Sequence, residues 1–202
     1  MTLLWSSRSP FVRKVMVVAH EAGVAQALRL ERMVVSGATM TPEVMALNPL
    51  NKIPTLVLVD GSALFDSPVI AEYLSTTHAG GALLPAEGEA HWQALRLQAL
   101  GDGLMELSIA RIAEAGRGEA RSAEREAAFQ AKTVATLDLL EREAASLAPV
   151  TLGSIAVACA LAHLDFRFPG DDWPGARPSL AAWHADFGTR TSMRETAFQD
   201  IY

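Results

Sequence analysis

The sequence lacks the cysteine pairs of many secreted proteins, the histidine spacing of metal sites and the long apolar runs of membrane-spanning proteins. Its one cysteine, Cys159, has no second cysteine with which to form an internal disulfide, and this fits a reducing compartment. No stretch reaches the roughly 18 consecutive apolar residues of a membrane span, and the richest run, residues 155–164, favours a buried helix instead. We therefore expect a cytoplasmic protein that does not enter the membrane.

Three further features limit the classes of function that the sequence allows. The 5 histidines show no metal-ligand spacing, so we expect no metal site. The first residues lack the basic and then apolar order of a signal peptide, so none is expected. The net charge of −6 disfavours nucleic acid or an anionic membrane as the main partner, while a local basic site for a small anion is compatible with it.

What is present divides into two parts. Half of the residues are hydrophobic, enough for a real core. Residues 1–78 show the order β-α-β-α-β-β-α, with a hairpin signal at Asp60-Gly61. Glycines at 80 and 81 and Pro85 mark a linker, and residues 87–202 have helical patterns. The predicted architecture is an α/β domain over 1–78 followed by an all-helical domain over 87–202.

Ser9-Pro10 is the most informative pair in the first part. Serine suits the N-cap of a helix and proline its first position. A helix start also carries unpaired N–H groups and partial positive charge, so it stabilises a thiolate, to which a serine hydroxyl can donate a hydrogen bond. From spacing alone, an ordinary N-cap is the commoner interpretation.

Two other motifs favour a ligand site. Pro54, at the entry to a β-branched strand, predicts a turn or a cis bond that exposes the backbone of Ile53 to an extended peptide. Asp66-Ser67 precedes a second helix start, where a carboxylate binds well and Asp66 can receive an amine. Together these groups would hold the head group of an amino acid.

These motifs, in this order, resemble the glutathione transferases over essentially the whole chain. The first part resembles the thioredoxin-like half of that family, and the helical remainder resembles its second domain. The residues that carry the resemblance, to serine-type bacterial members in particular, are the segments 9–15, 48–56, 64–70 and 151–156.

The resemblance implies a role for each matching residue. Ser9 would hydrogen-bond the glutathione sulfur and favour the thiolate. The other implied contacts are those of Ile53 with the cysteinyl part beside a cis Pro54, Lys52 with the glycyl carboxylate, Asp66 with the γ-glutamyl amine, Ser67 with its carboxylate, and Phe11 near the sulfur.

The resemblance also concerns residues of the helical part and the contact between two copies of the chain. Asp102 lies in a segment that presents an aspartate to glutathione across the dimer in some classes, and the family implies a homodimer formed by the helix over residues 67–77 and the long helix after it. From the expected domain geometry, Arg111 and Glu114 would face the second-substrate pocket, to which the segment 193–202 would also contribute.

Two positions depart from the family pattern. Ser154 stands three residues after Thr151, where the family usually has aspartate, so we expect a weaker cap on the central helix. Asn51 stands where glycine is usual, and asparagine tolerates the positive φ that such a turn needs.

The functional prediction is an enzyme, a glutathione transferase that activates the glutathione thiol for attack on a small hydrophobic electrophile, as in detoxification. Glutathione would be its co-substrate, with no metal. Two alternatives stay open: a glutathione-dependent isomerase or dehalogenase, and a non-catalytic relative that acts as a regulator or interaction module.

Overall fold

The computed structural model describes residues 1–201. The chain forms two compact units. The first unit contains residues Met1–Trp92 together with the segment from Thr191 onward, and the second contains Gln93–Arg190.

The first unit is built on a four-stranded sheet in the order β2-β1-β3-β4. The strands are β1 (Thr2–Trp5), β2 (Arg29–Arg32), β3 (Thr55–Val57) and β4 (Ala63–Leu64). Strand β1 is parallel to β2 and antiparallel to β3, and β3 is antiparallel to β4. The helices of this unit are α1 (Pro10–Glu21), the short α2 (Pro42–Met45) and α3 (Ser67–His78). The predicted order β-α-β-α-β-β-α is confirmed.

Helix α1 is the centre of this unit. Its residues 12–19 are all buried, the cationic Arg13 and Lys14 among them. It contacts α3 on one side, and it also contacts α8 (Thr191–Glu195), a short helix that the sequence patterns did not predict. Leu3, Leu56 and Ile70 are completely buried beside it and complete the core.

The second unit is helical. Its elements are most of α4 (Gly88–Ala115), with α5 (Ala123–Arg142), α6 (Leu152–Arg167) and α7 (Pro178–Gly188). Helix α6 is buried from Leu152 through Leu161, as its apolar composition predicts for a central helix. Cys159 lies in this stretch with no exposed surface. The small mixed sheet with helices, followed by a mostly helical part, confirms the predicted fold class.

Two glycines let α4 and α6 approach closely. A Cβ atom on Gly101 would lie 2.5 Å from the carbonyl carbon of Ala156, and one on Gly153 would collide with the carbonyl oxygen of Ala94. Beyond this crossing, Ser108 of α4 and Nδ1 of His163 are 2.8 Å apart in a buried hydrogen bond. Glycine is thus required here by backbone contact between the helices.

The prediction of a weak cap on α6 is wrong. Thr151 Oγ1 accepts the N–H of Ser154, and Ser154 Oγ accepts the N–H of Thr151 at 2.8 Å, so both halves of a capping box are present. Serine succeeds because its hydroxyl can also donate, here to the carbonyl of Pro149 at 2.8 Å.

Among residues 1–201, no helix is both long enough and apolar enough to cross a membrane.

Candidate functional site

The strand pairing brings three of the predicted motifs to one edge of the sheet. Leu4, near the end of β1, is opposite Thr55 at the start of β3, and Leu56 is opposite Leu64 at the end of β4. The loop that leads to Ser9 leaves this edge, the Ile53-Pro54 pair enters it, and Asp66-Ser67 follows it. Residues far apart in sequence therefore converge because antiparallel strands place one strand's end beside the next strand's start.

Ser9 is the N-cap of α1, with φ −82° and ψ 122°. Its Oγ accepts the N–H of Val12 at 3.3 Å, which satisfies one of the unpaired donors of the first turn. No hydrogen bond from the Ser9 hydroxyl proton is found to any residue in the range 1–201. The cap therefore uses the oxygen as an acceptor and leaves the O–H group able to donate.

The surroundings of Ser9 favour negative charge. The first turn of α1 contains no acidic residue, and Pro10 occupies its first position. Arg13 and Lys14 follow on the same helix, and both are buried. Phe11 is half-buried beside them. The positive end of the helix, with no carboxylate in its first turn, thus favours an anion beside Ser9.

The segment before β3 is held by a buried asparagine. The side-chain amide of Asn48 donates to the carbonyl of Lys52 and to Thr55 Oγ1, each at 3.1 Å, and its Oδ1 accepts the N–H of Leu50. Asn51 has φ 53°, the positive value that asparagine at this position was expected to tolerate. The loop is therefore fixed from inside, while the Lys52 side chain is exposed.

The Ile53-Pro54 bond is cis, as the sequence predicts. Pro54 is buried and Ile53 is half-buried. Within the described part of the chain, neither the N–H nor the C=O of Ile53 forms a backbone hydrogen bond. Both groups lie where the ladder between β1 and β3 ends, so an extended peptide can pair with them.

Asp66 and Ser67 begin α3. Asp66 is the N-cap, Ser67 is the first helical residue, and Pro68 is the second. The Phe65-Asp66 peptide bond is also cis, which nothing in the sequence indicated because neither residue is proline. Ser67 is buried, whereas Asp66 is exposed and its carboxylate makes no capping hydrogen bond within residues 1–201.

The remaining candidates lie in the second unit. Asp102 is half-buried on α4. Arg111 pairs with Asp171 at 2.7 Å, and its guanidinium lies 3.8 Å from the centroid of the Phe168 ring. Glu114 is not available to a pocket, because it is only 1% exposed and accepts the N–H of Ser122 at 2.7 Å.

Sequence reasoning missed the contacts of the C-terminal segment with the loop before Ser9. Ser7 Oγ donates to the carbonyl of Gln199 at 2.9 Å, and Arg8 Nε lies 2.9 Å from a carboxylate oxygen of Asp200. The partners are about 192 positions apart, so no local pattern could have paired them. Opposite charges at the two ends of the chain were the one available signal.

No group of three or more potential metal-ligating side chains occurs in the described residues 1–201.

Comparison with known proteins agrees with this arrangement. Residues 8–77 match the N-terminal domain of glutathione S-transferase, and residues 112–186 match its C-terminal domain. The chain is 32% identical over 201 residues to the uncharacterized GST-like protein YibF of Escherichia coli K12, covering 97% of this chain and 98% of that protein.

Two solved structures extend the comparison. A glutathione transferase family member from Pseudomonas fluorescens Pf-5, with bound glutathione, is 38% identical with a TM-score of 0.95 and 98% of each chain covered. A glutathione S-transferase from Methylobacillus flagellatus KT, with glutathione bound, is 33% identical with a TM-score of 0.86, covering 97% of this chain and 98% of that one. With both of its parts matched and a full-length relative above 30% identity, the chain belongs to the glutathione S-transferase family.

Proposed function

We propose that this protein is a glutathione transferase in which Ser9 activates the glutathione thiol for attack on a small hydrophobic electrophile. The observation that carries the proposal is the cap geometry of Ser9. Its oxygen accepts the N–H of Val12 at 3.3 Å, so the hydroxyl proton can point away from the helix toward a bound sulfur.

The chemistry follows from the positive end of α1. A thiolate there gains from the helix dipole, from unpaired N–H groups and from the hydrogen bond donated by Ser9, and all three favour the charged form of the sulfur. Each unit by which the thiol pKa falls corresponds to about 1.4 kcal/mol of preference for the thiolate. The thiol proton leaves to solvent, the sulfur forms a bond to the electrophilic carbon, and the leaving group departs with its electron pair.

The edge of the sheet supplies groups for the rest of glutathione. Ile53 offers an N–H and a C=O to the cysteinyl part beside the cis Pro54. Lys52 supplies a cation for the glycyl carboxylate. Asp66 and the start of α3 at Ser67 receive the γ-glutamyl amine and carboxylate.

The remaining features of the proposal rest on the family. Phe11 borders the sulfur and the second substrate, and Asp102 reaches glutathione across a homodimer. A cytoplasmic, detoxifying role accompanies this activity. The glutathione-bound relatives from P. fluorescens and M. flagellatus support the binding step.

The test compares glutathione binding with thiol ionisation. Calorimetric titration measures the affinity, and the ultraviolet absorbance of the thiolate across pH gives the pKa of the bound thiol. Replacing Ser9 with alanine should raise that pKa by about one unit or more while the affinity changes little. Ser9→Thr, which keeps the hydroxyl, should restore most of the effect.

Ser122→Ala is the matched control. Ser122 Oγ caps α5 by accepting the N–H of Arg125 at 3.3 Å. The Ser122→Ala variant therefore loses the same kind of cap as Ser9→Ala, but in the second unit. It should leave the thiol pKa unchanged.

An unaltered pKa in Ser9→Ala would remove Ser9 from the mechanism, and failure of the wild-type protein to bind glutathione would favour a non-catalytic regulator or interaction module. Binding without conjugation of a haloarene would favour an isomerase or dehalogenase.

A further inference from the structure

The C-terminal strap, residues 196–201, lies against the loop that leads to Ser9. Ser7 exchanges two hydrogen bonds with Gln199: its Oγ donates to the Gln199 carbonyl at 2.9 Å, and its own carbonyl accepts the Gln199 N–H at 3.3 Å. The next residues form an ion pair, Arg8 with Asp200, at 2.9 Å. Loop and strap are therefore paired residue by residue over two consecutive positions.

The strap is also tied to the body of α1. The guanidinium of Arg13, one turn after Ser9, lies 4.5 Å from the centroid of the Phe198 ring in the strap, and its Nη2 donates to the carbonyl of Met193 in α8, just before the strap, at 3.1 Å. Arg13 is buried, so these contacts are shielded from water and count for more than the same contacts at the surface. At its far end, the carbonyl of Ile201 accepts from Arg32 of β2 at 2.8 Å.

Two hydrogen bonds within the loop itself are long. The N–H of Ser9 donates to the Ser6 carbonyl at 3.4 Å, and the N–H of Arg8 donates to Ser6 Oγ at 3.4 Å. Both distances lie beyond the usual range for N–H···O bonds, as does the 3.3 Å bond from the Gln199 N–H, whereas the Ser7 hydroxyl contact with the strap is within the range for its type. The Ser9 carbonyl accepts the N–H of Arg13 at 3.0 Å, so α1 holds Ser9 from one side and the strap holds the residues before it.

We propose that Gln199 and Asp200 are positioning residues for Ser9: by holding Ser7 and Arg8 they fix the direction of the Ser9 hydroxyl relative to the start of α1. This inference rests on the proposed function of Ser9. The strap residues act through the loop and need no contact with the sulfur. A hydroxyl that acts by one directed hydrogen bond depends steeply on its position, because small displacements weaken such a bond sharply.

The experiment weakens the contacts between strap and loop in two ways. One variant ends the chain after Phe198, and the second combines Ser7→Ala with Asp200→Asn in the full-length chain. In both, we expect the pKa of bound glutathione to rise by about one unit and conjugation at neutral pH to fall about tenfold. Asp200→Glu, which keeps the ion pair, should behave like wild type.

Ser192→Ala is the matched control. Ser192 donates to Glu21 at 2.5 Å, so this change removes a contact between the same C-terminal segment and α1 at the opposite end of the helix from Ser9. It should lower thermal stability to a degree comparable with the double variant but leave the thiol pKa and the rate unchanged.

A second measurement does not require glutathione. In the protein alone, hydrogen exchange at the N–H of Val12, which Ser9 caps, should become faster in both strap variants and stay unchanged in Ser192→Ala. If the truncated chain does not fold, the double variant decides the result. Unchanged Val12 exchange and an unchanged thiol pKa would overturn the positioning role. A wild-type protein that does not bind glutathione would instead refute the proposed function, and the exchange rates would still decide whether the strap holds the loop.

Discussion

Thr151 and Ser154 cap each other at the start of α6, each side chain accepting the other residue's backbone N–H. Ser154 also donates to the Pro149 carbonyl at 2.8 Å and is completely buried. Ser154→Ala removes the bonds made by the Ser154 hydroxyl and keeps the one that Thr151 Oγ1 accepts from the backbone of residue 154, so we expect the free energy of unfolding to fall by about 1–3 kcal/mol in urea titrations.

Two comparisons test that prediction. Ser122→Ala removes a single-bond cap on α5 and should cost about 1 kcal/mol or less. Ser154→Asp introduces the residue usual in the family, but a carboxylate has no proton to give to Pro149, so no gain in stability is expected. An aspartate variant more stable than wild type would show that the Pro149 contact is unimportant.

The crossing of α4 and α6 predicts opposite effects for two glycines on one helix. Gly101→Ala places a methyl group 2.5 Å from backbone atoms of Ala156, so it should destabilise the protein by about 1–3 kcal/mol or more. A Cβ atom at Gly103 would have no other atom within 4 Å. Gly103→Ala should therefore raise the free energy of unfolding by up to about 1 kcal/mol, because alanine favours the helix. Thermal unfolding of the two variants measures this difference in sign, and equal effects would contradict the close approach.

Glu141 should make the second unit more stable above pH 4.5 than below it. Its carboxylate accepts the N–H groups of Leu180 at 2.7 Å and Ser179 at 3.1 Å at the start of α7. The hydrogen bond from Leu180 is the main cause that lowers the pKa of this exposed group below its ordinary value of 4.5. Because the folded pKa is the lower one, the stabilisation is present above the unfolded pKa and is lost as the pH falls through the folded value.

The measurement compares melting temperatures across pH. Glu141→Gln should melt below wild type at neutral pH, and the gap should close under acidic conditions. Glu106→Gln, at an exposed position on α4, is the control for loss of a carboxylate elsewhere in the second unit. If the difference in melting temperature between Glu141→Gln and wild type persisted unchanged at low pH, the loss of stability would come from packing and not from the charge of Glu141.

Lys52 is predicted to contribute charge to glutathione binding. It is exposed, so an ion pair with a ligand carboxylate is worth at most about 1 kcal/mol, and Lys52→Gln should weaken the affinity by about two- to fivefold. The loss should shrink as salt increases, since exposed pairs are screened. Calorimetry with Lys52→Arg as the rescue and Lys132→Gln as the control tests this, and a salt-independent loss would point to the loop backbone instead of the charge.

Local chemistry explains which features the sequence could predict. Ser9 with Pro10 predicts a helix start and Asp60-Gly61 a hairpin, because each depends on residues adjacent in the chain, while the cis bond at Pro54 was one of two local alternatives and was implied by the family resemblance. The convergence of these motifs then follows from strand pairing. The candidate site of the first unit was therefore largely predictable from residues within the first 70 positions.

What escaped prediction depends on distant partners or on a choice between similar side chains. The Arg13–Met193 bond joins residues 180 positions apart, and no periodicity encodes it. The cis bond at Phe65-Asp66 has no proline to signal it. Ser154 was expected to cap poorly because the nearby acceptor, Pro149, becomes visible only in three dimensions.

The burial of Cys159 gives this protein an internal chemical reporter. The chain has one sulfhydryl group, it lies in the second unit, and it has no surface exposed to solvent. A thiol-specific alkylating reagent can therefore attack only when the helical unit opens. The rate of labelling would therefore report the opening of the helical unit around Cys159.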